Sequence, residues 1–416
     1  MIIIWAQLLG GHMKNILIIS SDHTGHGHKS ISESLKEQFQ LHEDVQVHII
    51  DGFELGGSFW LKFGKSYGTI TRNAEYLWKI AWKIQSKRQH FIHFFAEQSI
   101  RENFLKVIKD ISPDLILSVH PLFNTSIINI LRSYKIKIPF ATFIADLVSI
   151  SPLWVDKRAT CIICPTQEAK ERCKEFGIRE HKLKVIGFPV RAKFVKHIND
   201  SSSMPTLYSL DRPLDCLIMS GGEGSGDMNV IAEILLKNFN CNVHIIAGRN
   251  ASIKEKLEKT LCVNYPGRVE VTGYVNNIQD YMLESDIAIT RGSPNVMMES
   301  VACNIPFIIT SALPGQEKEN PDFAVNNNLG VYCPNIYKLA DTVAELLENN
   351  AKKLNEIKIS QQKFYDYETA KKIVEHTLSL IKDSKNNIPT DFRKKRSKPQ
   401  KIRLMPRKLL LRMMSR

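Results

Sequence analysis

The sequence predicts an α/β protein built from two doubly wound, parallel-sheet halves in tandem that face each other across a cleft. Three observations carry this. Short apolar runs alternate with helical patterns from Asn15 onward, and the alternation restarts at Leu214. The first strand of each half leads into a glycine-rich turn, at 24–28 and again at 221–226. A polar, turn-rich stretch at 199–213, containing Ser201-Ser202-Ser203-Met204-Pro205, separates the two patterns as a linker. Helices between strands imply crossovers and a parallel sheet in each half, so both halves are Rossmann-like.

In order, 15–20 is a continuous apolar run, as a strand covered on both faces requires. It enters the turn holding Gly25, His26, Gly27 and His28, and an amphipathic helix follows from Lys29 to about Gln40. Further strands are predicted at 45–50, 115–119, 140–145, 160–164 and 183–186. The second half reads as strand 214–220, helix 228–238, then strands 243–247, 269–272, 287–290 and 306–310. A last helix runs from about Ala370 to Lys382. The expected division is 14–198, the linker 199–213, 214–381, and a basic tail at 382–416.

Length and composition fit this plan. The chain has 416 residues, 43% of them hydrophobic, enough for two cores. No run approaches the roughly 18–20 apolar residues of a spanning helix. Residues 1–9 are apolar but lack the basic flank and cleavage site of a signal peptide. Gly10-Gly11-His12-Met13 suggests a ribosome-binding sequence read through in frame, which makes Met13 the expected start; the nucleotide sequence settles the point. Eight scattered cysteines form neither a disulfide framework nor zinc spacing, which suits a reducing cytoplasm. Cys161 and Cys164 lie three apart on a predicted strand, so their thiols point to opposite faces. Residues 382–416 hold 13 Lys and Arg against Asp383 and Asp391, so nearly all of the chain's net charge of +13 belongs to the tail.

Chemistry concentrates at 287–320. A short strand, the turn Arg291-Gly292-Ser293 and a helix opening at Pro294 leave first-turn N–H groups and the positive end of a helix dipole aimed at one point, an anion site suited to phosphate. Ser293 is a good N-cap residue type. Asn295 and Glu299, four apart, share a helix face, and Glu299 lies one turn below the anion hole, placed to accept hydroxyls from a ribose. The plainer reading is an ordinary βαβ unit with a solvated Glu. The glycine turns do not match the dinucleotide fingerprint, and GxxxxGK[ST] is absent, which argues against a dehydrogenase or a P-loop NTPase. No Asp-x-Asp pair offers a metal site on a diphosphate, so no metal or cofactor is expected. The stretch 58–110 is rich in aromatics and bases. Trp78 and Trp82 share a helix face beside Lys79 and Lys83, which suits either a helix resting at lipid headgroups or a core helix with exposed lysines. The tail ends in Leu409, Leu410, Met413 and Met414 among Arg407, Lys408 and Arg412, a basic helix with an apolar face that favours anionic membranes. A solvated tail is the alternative. Nucleic-acid binding is not expected, because the body is nearly neutral.

Taken together, these stretches resemble the monogalactosyldiacylglycerol synthase and processive diacylglycerol glucosyltransferase family, GT-B glycosyltransferases related to the peptidoglycan N-acetylglucosaminyl transferase. The resemblance spans roughly 14–380. It rests on Gly25 to His28, Ser118 to Leu122, Ala145-Asp146-Leu147 with Pro152 and Trp154, Gly187-Phe188-Pro189-Val190, the 221–226 run with Gly222 and Gly224, Gly273-Tyr274-Val275, Thr290 to Glu299, and Pro314-Gly315-Gln316-Glu317. It implies a UDP-sugar donor held by the second half. Gly273, Tyr274 and Val275 would meet the base; Ser293, Pro294, Asn295 and Val296 the diphosphate; Glu299 the ribose; and Gln316 and Glu317 the sugar. His28 would be the general base, with Asp146 orienting it or the acceptor, and His120 would lie on the acceptor and membrane side. The family usually has Gly-Pro-Gly-Thr at the anion turn, where this chain has Ser293-Pro294-Asn295-Val296. It also usually carries a histidine where Ser151 stands. The expected activity is inverting hexosyl transfer to a lipid hydroxyl, most simply diacylglycerol, at the cytoplasmic face of the cell membrane. Alternatives are a polyprenyl-linked saccharide acceptor, a UDP-sugar epimerase, or a silent membrane-binding module.

Overall fold

The computed structural model describes residues 13–22, 27–58, 60–62, 64, 89–195, 206–219 and 227–381. Gly222, Gly224, Trp78, Lys79, Trp82, Lys83, residues 199–205 of the expected linker and the whole basic tail lie outside the described residues.

The first half is a six-stranded parallel sheet of Lys14–Ser20 (β1), Val45–Asp51 (β2), Leu115–Ser118 (β3), Phe140–Phe143 (β4), Cys161–Cys164 (β5) and Leu183–Val185 (β6), in the order β2-β1-β3-β4-β5-β6. The second contains Leu214–Met219 (β7), Cys241–Ile246 (β8), Val269–Thr272 (β9), Ile287–Arg291 (β10), Phe307–Ser311 (β11) and Gly330–Tyr332 (β12), in the order β12-β11-β10-β7-β8-β9. The α/β, GT-B class expected from the sequence is what forms. Ile16 to Ile19 are fully buried, as a strand with helices on both faces must be. The three-residue edge strand β12 was not foreseen. It pairs because Gly330 lets two backbones approach where a Cβ would overlap the Phe307 carbonyl.

Strand order reverses between β1 and β3 and between β7 and β10, so the loops leaving their carboxyl ends diverge and open a crevice in each half. The helices that matter for the site are Gly27–Phe39 (α1), Gln89–Ile111 (α2), Pro294–Ala302 (α3), Asn320–Asn326 (α4) and Thr369–Leu378 (α5). Helix α2 buries Ala96, Ile100, Phe104 and Ile108 at helical spacing, and Trp60 is buried against Phe95 and Phe123. The described part of 58–110 thus contributes to the core, with Phe94 and Phe95 40% exposed, while the residues on which the two readings of this stretch rest lie outside the described ones. Among the described residues no helix is long and apolar enough to cross a membrane.

Helix α5 comes last in the chain yet packs on the first half. Its apolar stripe of Ala370, Ile373, Val374 and Thr377 is buried, His376 Nε2 lies 3.3 Å from Cys161 Sγ, and the Tyr365 hydroxyl donates to the Phe188 carbonyl at 3.4 Å. Chain order placed this helix with the second half, but its stripe finds apolar partners in the first. One continuous core joins the first sheet to Met297, Met298, Val301 and Phe307 of the second half; a separate core fills the far face of the second sheet.

Candidate active site

The turn after β10 is held from three sides. The Gly292 N–H donates to Ser311 O at 2.9 Å, the Ser293 N–H to Arg291 O at 2.8 Å, and buried Asn320 Nδ2 of α4 to Gly292 O at 2.8 Å. Ser293 occupies the N-cap position with extended backbone, but its hydroxyl makes no capping bond, contrary to what its residue type suggests. Pro294 starts the helix, and the first helical bond runs from Met297 N to Ser293 O at 3.0 Å. The Asn295 and Val296 N–H groups therefore have no acceptor within α3 and point out of its positive end. Arg291 adds a cation beside the turn. Its Nε lies 3.1 Å from Glu317 Oε2.

Glu317 is buried and turned into its own loop, where Oε2 also accepts the Leu313 N–H at 2.8 Å. In this arrangement it braces Arg291 and the loop, and a sugar hydroxyl would have to share it. Farther along the sheet edge, Gly273, Tyr274 and Val275 follow β9. The Arg249 guanidinium sits 4.3 Å over the Tyr274 ring, and Gly273 abuts the Gly248 carbonyl. This places a half-exposed aromatic ring and a cation together where a planar base could dock.

The opposite wall comes from the first half. His28 lies in the first turn of α1, and its Nδ1 is 2.6 Å from the Val119 carbonyl. A carbonyl only accepts, so Nδ1 carries the proton and Nε2 presents a lone pair. His28 is partly exposed, yet its surroundings desolvate it enough to lower its pKa to about 4, against the smaller opposing effect of the Val119 bond. The imidazole is thus neutral at pH 7. His120 stacks edge-on at 4.7 Å from His28 and 5.3 Å from Phe53, and its Nδ1 accepts the Leu122 N–H at 3.3 Å. It is 5% exposed and packs directly against His28. Asp146, also buried, accepts from Trp154 Nε1 at 2.6 Å and from Gln316 Nε2 at 3.0 Å. Burial raises its pKa to about 6, with both hydrogen bonds opposing. The contact that orients His28 in this structure is the Val119 carbonyl, while Asp146 ties the first half to the loop of Gln316. Ser151, where the family usually has histidine, caps the turn at Pro152–Trp154 by accepting the Leu153 N–H at 3.3 Å.

The two walls touch. Asn295 lies against Gly27, the residue before His28. Glu299 Oε1 accepts from Ser30 Oγ at 3.1 Å and lies 3.8 Å from Arg191 Nη2. Ser149 Oγ donates to Glu319 Oε2 at 2.8 Å. Glu299 is 8% exposed, and burial raises its pKa to about 7 despite Arg191, Ser30 and Lys193. The anion turn, Glu299, Gln316, Asp146 and His28 are thus brought to one interface. Three contributors escaped the sequence reading: Ser30, Arg191 and Arg291. Arg291 had a signal, being the first residue of the anion turn; Ser30 and Arg191 had none, because their partner is distant in sequence.

Comparison with known proteins bears on the family and the fold. The monogalactosyldiacylglycerol (MGDG) synthase family model matches residues 28–190, and the glycosyl transferases group 1 model matches 228–349. The chain is 30% identical over 365 residues to the chloroplastic monogalactosyldiacylglycerol synthase of Spinacia oleracea, covering 84% of this chain and 68% of that protein. It is 29% identical to monogalactosyldiacylglycerol synthase 1 of Arabidopsis thaliana, covering 90% and 72%. Among solved structures, Acinetobacter baumannii MurG aligns with a TM-score of 0.59 at 12% identity, covering 88% of this chain and 99% of that one. The UDP-GlcNAc 2-epimerase of Neisseria meningitidis aligns at 0.57 and 13%, covering 88% and 100%. At such identities these two structures speak for the fold alone.

Proposed function

The chain belongs to the monogalactosyldiacylglycerol synthase family, and from that premise we propose that it transfers a hexose from a UDP-sugar to a hydroxyl of diacylglycerol, inverting the anomeric carbon. Galactose is the hexose that the relatives' names indicate. The observation that supports the reading is the approach of Asn295 to Gly27, which brings the turn proposed to hold the diphosphate next to His28, whose Nδ1 is engaged by the Val119 carbonyl.

In this mechanism the acceptor oxygen attacks the anomeric carbon while the bond to the diphosphate breaks on the opposite face. His28 Nε2 takes the hydroxyl proton, and the leaving UDP keeps the bonding electrons. The Asn295 and Val296 N–H groups, the dipole of α3 and Arg291 stabilise the charge that develops there, a service that needs no metal. Glu299 receives the ribose hydroxyls, Tyr274 and its neighbours the base, and Gln316 the sugar. The two halves must part for the donor to enter, because Glu299 and Gln316 are held by Ser30 and Asp146. The basic tail and the aromatic segment at 65–88 would hold the enzyme to an anionic membrane surface where its lipid acceptor resides.

The test is an assay of purified protein with UDP-galactose, UDP-glucose and UDP-N-acetylglucosamine, with and without diacylglycerol vesicles. A β-linked hexosyl diacylglycerol from an α-linked donor is expected. Formation of an epimer, or transfer that ignores diacylglycerol, overturns the reading.

A further inference from the structure

Arg191 lies where the chain leaves the first half, just after Gly187-Phe188-Pro189-Val190. Its backbone is fixed to α1, since Ser34 Oγ donates to the Val190 carbonyl at 2.7 Å. Its guanidinium spans two carboxylates from different halves: Nη1 is 3.5 Å from Glu33 on α1, and Nη2 is 3.8 Å from Glu299 on α3. Phe194 supports it from below, with the guanidinium carbon 5.4 Å from the ring centroid. Nε is buried without a hydrogen-bond acceptor among the described residues. A cation that shares itself between two acids and keeps a donor in reserve is not saturated by either partner.

We propose that Arg191 is a positioning residue for the donor, acting through Glu299: it favours the ionised form of that carboxylate and keeps it in place to accept the ribose hydroxyls of a nucleoside diphosphate. The inference rests on the assignment of the ribose to Glu299. Its consequence is that the donor site is complete only when the halves meet, because its ribose acceptor sits on one half and the cation that maintains it on the other.

The chemistry follows from what surrounds Glu299. It is crowded by α1, by its own helix and by the segment after β6, and burial favours its neutral form. Arg191 is the strongest opposing influence, followed by the Ser30 hydroxyl and then Lys193, which itself donates to the Asn276 carbonyl. The other ionisable groups near this cluster are Glu33, which Arg191 partly neutralises, and Cys303 one turn along α3, whose thiol is pushed up by burial and by Glu299. A protonated Glu299 still has one acceptor oxygen but cannot bind a vicinal diol through two charge-assisted bonds. Loss of Arg191 therefore moves the ionisation of Glu299 to higher pH, and donor affinity follows it.

The experiment is calorimetric titration of UDP into wild type, Arg191→Gln, Arg191→Lys and Glu299→Gln between pH 6.5 and 9. For Arg191→Gln, affinity is expected to fall about tenfold at pH 7 and to recover above pH 8, a midpoint displaced by about one pH unit or more. Arg191→Lys should keep a profile close to wild type, and Glu299→Gln should bind weakly at every pH. An Arg191→Gln profile parallel to wild type, whether unshifted or uniformly lowered, overturns the inference, as does failure of Arg191→Lys to restore it. If Glu299→Gln binds UDP as wild type does, the ribose assignment itself is what has failed.

Discussion

The Asn295 carboxamide nitrogen occupies the space that a Cβ on Gly27 would need, so the tip of the anion turn and the first turn of α1 meet through the end of one flexible side chain. This contact joins the two halves beside His28. It also gives a role to the residue by which this chain departs from the family's usual glycine at that turn.

Gly27→Ala should therefore displace the Asn295 carboxamide from the seam. Because the end of the Asn295 side chain can swing aside, the cost stays at or below the roughly 1 kcal/mol low end of overpacking, and hexosyl transfer should fall by no more than about fivefold. Adding Asn295→Gly should restore much of the loss, because it vacates the same space. Steady-state kinetics of the two single variants and the double variant decide it: purely additive losses would mean that the contact is incidental.

His28→Gln should lower kcat by about 10² to 10⁴ and leave UDP binding nearly intact. His28 also leaves a mark on stability. Its folded pKa is depressed below the unfolded value of 6.5 to about 4, so the unfolded chain binds the proton first. The stability it contributes is present above pH 6.5 and drains away as pH falls toward 4. Between pH 7 and pH 5 wild type should lose on the order of 1–2 kcal/mol more than His28→Gln. Denaturant titrations at the two pH values measure this, and equal losses would contradict the buried, neutral imidazole.

Glu299 has the opposite sign. Its folded pKa is raised from 4.5 to about 7, so whatever it contributes is present below pH 4.5 and is lost as pH rises through 7. Glu299→Gln should match wild type near pH 4.5 and become more stable than it by on the order of 2–3 kcal/mol at pH 8, while binding donor poorly. Melting curves across that window check the sign; a variant less stable than wild type at pH 8 would show the carboxylate to be better compensated than its neighbours suggest.

Removal of residues 382–416, which carry 13 Lys and Arg, should weaken binding to anionic vesicles and spare binding to neutral ones. At roughly 1 kcal/mol per basic residue near the surface, even a few engaged side chains amount to more than a hundredfold. Vesicle sedimentation at two salt concentrations provides the measurement. Unchanged affinity would return the tail to solvated charge.

What could be read beforehand depended on the reach of each interaction. Ile16 to Ile19 announced a strand covered on both faces, and Pro294 after Ser293 announced a helix start with unclaimed N–H groups, because both are consequences of local backbone chemistry. The sequence determined the two parallel halves, the anion turn, and the alternation that sets loops at the carboxyl ends of the strands. Only the tertiary structure decided which groups those loops would face. Ser30 and Glu299 are 269 residues apart, Asp146 and Gln316 are 170 apart, and α5 crosses back to a core formed by the other half. No periodicity encodes such pairings. They arise when two sheets, each with its crevice on the same edge, are pressed together by shared apolar surface, and the side chains left at the seam must satisfy one another or a ligand.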